Sequence, residues 1–229
     1  MASGHEQGDD LVGFRHESHP LPPSFKHQGH RLPFVRAHAV HGYGELAGAF
    51  LHHFESLDRS DRLFVAPEGL SRFYLGRVAE RPAADRAVGA SWMTREDRLA
   101  EIDDYVRYLD AVHADVLRLL GQARPRVCVL AFSQGTATAC RWLARGMVKA
   151  ERLILWGGEI PPEIDLSAER ERFSRLDVTL VVGATDHLIT EKIIKRERER
   201  LEAHGIPHRV VAFDGGHEID QGTLRTLIG

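Results

Sequence analysis

The chain has 229 residues, enough to enclose a sizeable core, and we take one α/β domain as the starting expectation. Its formal net charge is −3, and charges of both signs are mixed along the chain, so no basic region indicates nucleic-acid binding. No stretch is apolar enough for a membrane span, and the amino-terminal segment lacks the apolar core of a secretory signal. We therefore expect a cytoplasmic protein without a membrane span.

The amino-terminal segment, residues 1–30, is rich in Gly, His and Pro and is predicted to form a partly ordered arm, with residues 11–14 as a candidate edge strand. Residues 31–229 are predicted to form a single domain. The histidines of the arm lack metal-ligand spacing, so we expect neither a metal nor a cofactor. Cys128 and Cys140 lie in apolar segments and are expected to be buried free thiols.

Short apolar runs without polar alternation are typical of strands buried on both faces. Such runs occur at 33–40, 63–66, 127–132, 153–156, 178–182 and 210–213. Segments with helical apolar spacing lie between them, at 46–57, 99–116 and about 190–204. This alternation predicts a doubly wound, mostly parallel sheet with helices on both faces, whose chemistry lies at the carboxyl ends of the strands. The long connection 71–91 is a candidate flap beside the site.

Ser133 follows the apolar run 127–132 and directly precedes a helix-forming segment. A serine at such a strand-to-helix turn projects its hydroxyl above the sheet, and small residues at Ala131 and Gly135 allow strand and helix to approach closely. The pattern A-x-S-x-G differs from the common G-x-S-x-G only in its first position. The backbone N–H of Gln134 is a candidate oxyanion donor. The alternative is a buried serine that caps a helix.

A serine nucleophile needs a base and an acid that orients the base. Asp186 follows the run 178–182, and His217 lies in a Gly-Gly loop after the last strand. The chain order Ser133, Asp186, His217 is the one expected for α/β-hydrolases. Asp186 as a helix N-cap and His217 as an ordinary loop residue are the alternatives. Two further acids, Asp214 and Glu218, lie close to the histidine in sequence and are rival orienting residues.

The segment H-G-Y-G at 41–44 follows the first predicted strand of the domain. A Gly-rich turn at this position offers a second oxyanion donor, the backbone N–H of Tyr43, opposite that of Gln134. A plain turn between strand and helix is the alternative. We expect a structural role for His41.

These motifs resemble the phospholipase/carboxylesterase family of α/β-hydrolases, which also contains the acyl-protein thioesterases. The resemblance runs from about residue 33 to the end and consists of H-G-Y-G at 41–44, A-F-S-Q-G at 131–135, G-A-T-D at 183–186 and G-G-H-E at 215–218. It implies an α/β-hydrolase fold with little or no lid, acting on carboxylic esters or thioesters. The roles it implies are nucleophile Ser133, base His217, orienting acid Asp186, and oxyanion donors Tyr43 and Gln134.

One departure concerns the substrate. The family commonly has S-W-F-D where this chain has Ser91-Trp92-Met93-Thr94, so the tryptophan is kept as a candidate substrate contact and the acid is lost. The leading hypothesis is a serine hydrolase that cleaves small-molecule carboxylic esters through an acyl-enzyme. Acyl-protein or acyl-CoA thioesterase activity and a non-catalytic ligand-binding role remain alternatives. The physiological substrate and the oligomeric state stay open.

Overall fold

A computed structural model of the chain describes residues 11–14, 35–57, 62–76, 86–121 and 126–228. Its strands in chain order are β1 Leu11–Phe14, β2 Val35–Val40, β3 Arg62–Pro67, β4 Ser71–Tyr74, β5 Val88–Ser91, β6 Arg126–Phe132, β7 Arg152–Trp156, β8 Asp177–Gly183 and β9 His208–Phe213. Its α-helices are α1 Ala47–Leu51, α2 Arg98–Leu120, α3 Gln134–Arg145, α4 Arg170–Phe173, α5 Glu191–Ala203 and α6 Gln221–Ile228, and a 3-10 helix, His52–Leu57, follows α1.

Within the described ranges, the main sheet has seven strands in the order β1-β3-β2-β6-β7-β8-β9, and every neighbouring pair is parallel. All six predicted strands are present, as is the edge strand at 11–14. Strand β9 lies at the other edge of the sheet and is largely exposed, so it is not buried on both faces as its apolar run predicts. The rest of the predicted arm lies outside the described residues, and the division of the chain at residue 30 stays a prediction. Because β3 and β6 pair with opposite sides of β2, the strand order reverses at β2 and β6, where open α/β sheets bind ligands.

Helices cover both faces of this sheet, as predicted. On one face, Val127 and Val129 of β6 pack in a core with residues of α2, α3 and α5. On the other face, Cys128 and Leu130 of the same strand pack with residues of α1 and α6. The alternation follows from the period of two along a strand, and it explains why the central strands are apolar at nearly every position. Cys128 and Cys140 are both buried and free, as expected.

The connection 71–91 contains secondary structure that the sequence did not indicate. Strands β4 and β5 pair as an antiparallel two-stranded ribbon, with Ser71 opposite Ser91. All four side chains of β4 are exposed or half-buried, so this strand lacks an apolar run. The ribbon contacts the turn after β2, because Ala90 accepts a hydrogen bond from the Gly44 N–H at 2.8 Å. Residues 77–85 lie outside the described residues, so the flap stays a prediction.

The start of α2 differs from the capping box that the Thr94-x-x-Asp97 pattern predicts. Asp97 has a positive φ of 44° and makes no side-chain capping bond. Instead, Glu101 in the first turn accepts a hydrogen bond from the Thr94 N–H at 2.6 Å. The helix ends at Leu120, and Gly121 caps it with a positive φ of 59°. In the part of the chain that the structure describes, no helix combines the length and the apolar character required for crossing a membrane.

Candidate active site

Ser133 occupies the turn between β6 and α3, with φ 51° and ψ −120°. It is one of two non-glycine residues with positive φ in the described ranges, and such strained geometry persists only where the surroundings hold it. Its N–H donates to the Trp156 carbonyl oxygen at 2.9 Å. An added Cβ at Gly135 would lie 2.3 Å from the Val40 carbonyl oxygen, so only glycine permits this approach of α3 to β2.

His217 bridges the predicted nucleophile and the predicted acid. Its Nε2 lies 2.9 Å from Ser133 Oγ, and its Nδ1 lies 2.8 Å from Asp186 Oδ2. The imidazole is 22% exposed and packs beside the Phe132 ring, with the centroids 5.0 Å apart. Gly157 faces the ring with φ 59°, and an added Cβ there would lie 3.0 Å from the imidazole Cε1. The structure therefore brings together three side chains from the ends of three different strands.

The Asp186 carboxylate is enclosed and held by backbone groups. Its Oδ1 accepts the N–H groups of Leu188 at 2.8 Å and Ile189 at 2.9 Å, while Oδ2 faces the imidazole. Burial raises the pKa of this carboxyl, but the hydrogen bonds from Ile189, His217 and Leu188 outweigh burial and hold the pKa below its usual range. The acid is therefore ionised and fixed in orientation.

The two rival acids face elsewhere. Asp214 is exposed and lines a separate cavity between β9 and α6. Glu218 is exposed as well, and its Oε1 lies 3.4 Å from the Gly216 nitrogen. Neither carboxylate is the hydrogen-bond partner of His217, whose Nδ1 contacts Asp186. Of the three candidate acids, Asp186 is the one whose carboxylate contacts the imidazole.

The H-G-Y-G turn lies against Ser133, because an added Cβ at Gly42 would lie 3.3 Å from the Ser133 Cβ. Two of its N–H groups have intramolecular acceptors: Gly42 donates to Glu45 Oε2 at 2.7 Å and Gly44 to the Ala90 carbonyl oxygen. The N–H of Glu45, which follows the turn, donates to the Gly42 carbonyl oxygen. Within the described residues, the Tyr43 N–H has no acceptor. The Tyr43 ring is 60% exposed and packs near Phe73, 5.0 Å between centroids.

Gln134 is the first residue of α3, so its N–H has no acceptor within the helix. Its side chain is anchored away from the cleft: Oε1 accepts the Trp92 N–H at 3.1 Å, and Nε2 donates to the Met93 carbonyl oxygen at 2.9 Å. The side chain therefore ties the start of α3 to the segment that follows β5. Both predicted oxyanion donors lie in turns adjacent to Ser133.

Trp92 is not a substrate contact, and this prediction requires correction. Its side chain is 1% exposed, packs against the rings of His41 and Tyr105, and donates its indole N–H to the His41 carbonyl oxygen at 2.9 Å. Because the ring is enclosed on the core side of the turn, it supports the H-G-Y-G backbone from behind. His41 is buried there too and accepts the Gly69 N–H at Nε2, 2.9 Å away, which confirms its structural role.

A cleft of about 410 Å³ opens beside Ser133 and His217, a volume that suits a small ligand. Its apolar walls come from the loops after β7 and β8 and from the first turn of α3. The lining residues, besides Ser133 and His217, are Arg98, Thr136, Ala137, Arg141, Gly157, Gly158, Glu159, Pro161, Pro162, Glu163, Leu188 and Ile189. The four charged residues of this set, Arg98, Arg141, Glu159 and Glu163, were not identified from the sequence.

Three of those charged residues form one cluster. Arg141 donates from Nε and Nη2 to Glu163 Oε1 at 2.9 and 2.6 Å, and Arg98 Nη2 donates to the same oxygen. Burial raises the pKa of Glu163, but hydrogen bonding to Arg141 and the charges of both arginines hold it below its usual range. The only sequence signal was position: Arg141 follows Ser133 by about two helical turns, on the same face of α3.

Nothing in the described ranges suggests a bound metal, since they contain no group of three or more His, Cys, Asp or Glu side chains that could hold an ion. The three residues Ser133, His217 and Asp186 can instead form a nucleophile with its base and orienting acid.

Comparison with known proteins finds similarity in structure but not in sequence families. No protein-family model matches the chain, and no curated protein does. Solved structures do match: Zea mays acyl-protein thioesterase 2 has 17% identity and a TM-score of 0.63, covering 86% of this chain and 91% of that one. Esterase PE8 has 23% identity and a TM-score of 0.60, with 86% and 90% covered.

The carboxylesterase of Bacillus cereus is a third match, with 16% identity and a TM-score of 0.58, covering 86% of this chain and 85% of that one. A phospholipase/carboxylesterase from Dyadobacter fermentans matches at a TM-score of 0.58 with 17% identity. The structural resemblance predicted from the motifs is thereby confirmed. The chain has the α/β-hydrolase fold.

Proposed function

We propose that the protein is a serine hydrolase that cleaves carboxylic esters. The observation that carries the proposal is the position of His217, within hydrogen-bond distance of both the Ser133 hydroxyl and the buried Asp186 carboxylate. A serine hydroxyl becomes nucleophilic when a neighbouring base removes its proton, and an ionised acid holds that base in the required tautomer.

In the proposed mechanism, Ser133 Oγ attacks the acyl carbonyl carbon while His217 Nε2 takes the hydroxyl proton. The tetrahedral oxyanion accepts hydrogen bonds from the Tyr43 and Gln134 N–H groups, and Asp186 stabilises the imidazolium. Collapse expels the alcohol, which receives the proton from the imidazolium, and leaves an acyl-enzyme. Water, deprotonated by the same imidazole, then attacks the acyl carbon, releases the carboxylic acid and restores the serine.

Two observations favour ester hydrolysis over the alternatives. A ligand-binding module has no need for a serine, a histidine and a buried acid in hydrogen-bond contact, which favours an enzyme. The cleft is about 410 Å³ and has charged residues in its wall, which favours a small polar ester. The similar structures include an esterase, a carboxylesterase and an acyl-protein thioesterase, so they agree with a hydrolase and do not separate the two kinds of substrate.

Exchange of the nucleophile tests the proposal. Ser133→Ala should abolish labelling by a fluorophosphonate probe and lower turnover of p-nitrophenyl butyrate by about 10³-fold or more. Ser167→Ala, at an exposed serine that does not line the cleft, is the matched control and should keep both. A folded Ser133→Ala protein with most of its activity would refute the assignment. Higher kcat/KM for acyl-CoA than for oxygen esters of equal chain length would instead favour the thioesterase alternative.

A further inference from the structure

The charged wall of the cleft is built on the helix that begins at the nucleophile. Ser133, Ala137 and Arg141 line the cleft at successive turns of α3. Arg141 begins about 12 Å along the helix axis from Ser133, and helical side chains lean toward the amino terminus, so its guanidinium extends back toward the serine. A group bound there lies within reach of an ester held at Ser133.

Arg141 is deeply enclosed, with a side chain that is 7% exposed. Besides Glu163, its guanidinium contacts the Tyr105 hydroxyl and the Met93 sulfur, both at 3.3 Å from Nη1. A buried guanidinium retains its charge and is fixed here from three sides. Such fixation is useful for recognising an anion, because little conformational freedom is lost on binding.

Arg98 completes the cluster from the start of α2. Its side chain is 36% exposed and faces the same cleft. Arg98 donates from Nη2 to Glu163, and among the described residues its other N–H groups have no hydrogen-bond acceptor. Planar guanidinium donors of this kind match the two oxygens of a carboxylate.

The charges of the cluster do not cancel. Two arginines face one ionised glutamate, Glu163, which leaves a net charge of +1. The other acid in the cleft wall, Glu159, is paired with Arg196 and does not offset this charge. The positive excess of this cluster, in a chain whose formal charge is −3, favours an anionic ligand at the cluster.

We propose, on the basis of the proposed function of Ser133, that Arg98 and Arg141 bind a carboxylate at the end of the ester substrate that is farthest from the scissile bond. The substrate class is thus a short ester with an anionic terminus. Its middle would contact the apolar wall formed by Pro161, Pro162 and Leu188, all of which line the cleft. The carboxylate belongs either to the acyl part or to the alcohol part of the ester.

Matched pairs of esters test this inference. Monomethyl adipate and methyl hexanoate differ only in an acyl-terminal carboxylate or methyl group, and 4-acetoxybutanoate and butyl acetate differ likewise in the alcohol part. In one pair, we expect the kcat/KM of the anionic ester to exceed that of the neutral ester by about tenfold or more. This factor corresponds to the strength of a charge-assisted hydrogen bond. The pair that shows the preference identifies the part that carries the carboxylate.

Variants of Arg98 assign the preference to the cluster. Arg98→Gln should bring the ratio of the two kcat/KM values close to one, mainly through the KM of the anionic ester, and Arg98→Lys should retain part of the ratio. Arg145→Gln is the matched control: it removes one positive charge from α3, near Asp103 and outside the cleft, and should leave the ratio unchanged.

Two failures are distinguishable. Ser133-dependent hydrolysis with equal rates for both members of each pair, or a preference that survives Arg98→Gln, would overturn the carboxylate site and leave the esterase proposal intact. If no ester is hydrolysed and the fluorophosphonate does not label Ser133, the proposed function fails and the inference fails with it.

Discussion

At the scale of single residues, Asp186 differs from its rivals in what surrounds it. Its carboxylate accepts two backbone N–H groups and faces the imidazole, whereas the Asp214 side chain is exposed at the far side of β9. Asp214 is closer to His217 in sequence, but the short loop between them directs the two side chains apart. Orientation by a fixed, ionised acid is what a catalytic imidazole requires.

Replacing each acid by its amide tests this difference. Asp186→Asn should lower kcat by about 10³- to 10⁴-fold with little change in KM, because the amide cannot stabilise the imidazolium that forms during the reaction. Asp214→Asn is the matched control and should change kcat less than about twofold, as expected for an exposed residue outside the site. Steady-state kinetics on one ester suffices, and the opposite ranking would transfer the orienting role to Asp214.

The approach of Ser133, His217 and Asp186 to one another could be predicted from sequence because each lies in the turn or loop after an apolar strand, and parallel strands end at one edge of the sheet. The position of Trp92 could not, since an aromatic residue next to a catalytic turn can face either the cleft or the core. Its indole N–H donates to the His41 carbonyl oxygen, which lies on the core side of the turn. The position of Arg141 in the cleft could not be predicted either, because a single arginine in a helix does not indicate which residues of other loops will contact it.

At the scale of elements, the sequence predicted the six apolar strands and missed the ribbon β4–β5 and the helices α4 and α6. The strands β6, β7 and β8 are central and enclosed on both faces, so their composition alone identifies them. The ribbon β4–β5 has a largely exposed strand and is held partly by backbone bonds to the turn after β2, such as that from Gly44. Backbone bonds of this type are independent of side-chain pattern, so pattern analysis cannot find them.

The turn 41–44 provides a prediction at this scale, because Tyr43 is proposed to act through its N–H and not through its exposed ring. Tyr43→Phe should leave kcat nearly unchanged. Tyr43→Pro deletes the N–H, and the loss of one oxyanion donor costs about 2.7–4 kcal/mol of transition-state stabilisation, or about 10²- to 10³-fold in kcat. Circular dichroism first verifies that the proline variant is folded. A folded Tyr43→Pro enzyme of normal kcat would place the donor elsewhere, and an inactive Tyr43→Phe enzyme would show that the phenol itself participates.

At the scale of the whole molecule, stability is coupled to the protonation of a residue beneath the site. His41 has no exposed surface, accepts the Gly69 N–H at Nε2, and donates from Nδ1 to the Gly42 carbonyl oxygen at 2.8 Å. Burial lowers its pKa to about 4, although the bond to Gly42 raises it. The folded protein therefore holds this imidazole neutral under conditions in which the unfolded chain protonates it, at a pKa near 6.5.

The sign of the effect follows from proton binding. Between about pH 6.5 and pH 4 the unfolded chain carries a proton at position 41 that the folded protein lacks, so the free energy of unfolding decreases as the pH falls through this range. Above about pH 6.5, the protonation of His41 does not reduce the free energy of unfolding. At pH 4 and below, the reduction amounts to about 3 kcal/mol, since each unit of pKa difference corresponds to about 1.4 kcal/mol. The pKa of Asp186 lies below its usual range, so its contribution is lost only at still lower pH.

Urea unfolding at pH 7.5, 6 and 5 measures this dependence, and the unfolding midpoint should decrease at each step. Because the chain has 14 histidines, nitrogen NMR of the histidine side chains must assign the effect to His41. We expect its imidazole to remain neutral at pH 5, with the proton on Nδ1, since the Gly69 N–H occupies Nε2. Exposed His187 serves as an internal comparison in the same spectra. A His41 signal that titrates near pH 6.5 in the folded protein would contradict the prediction, because no coupling to folding would then remain at this position.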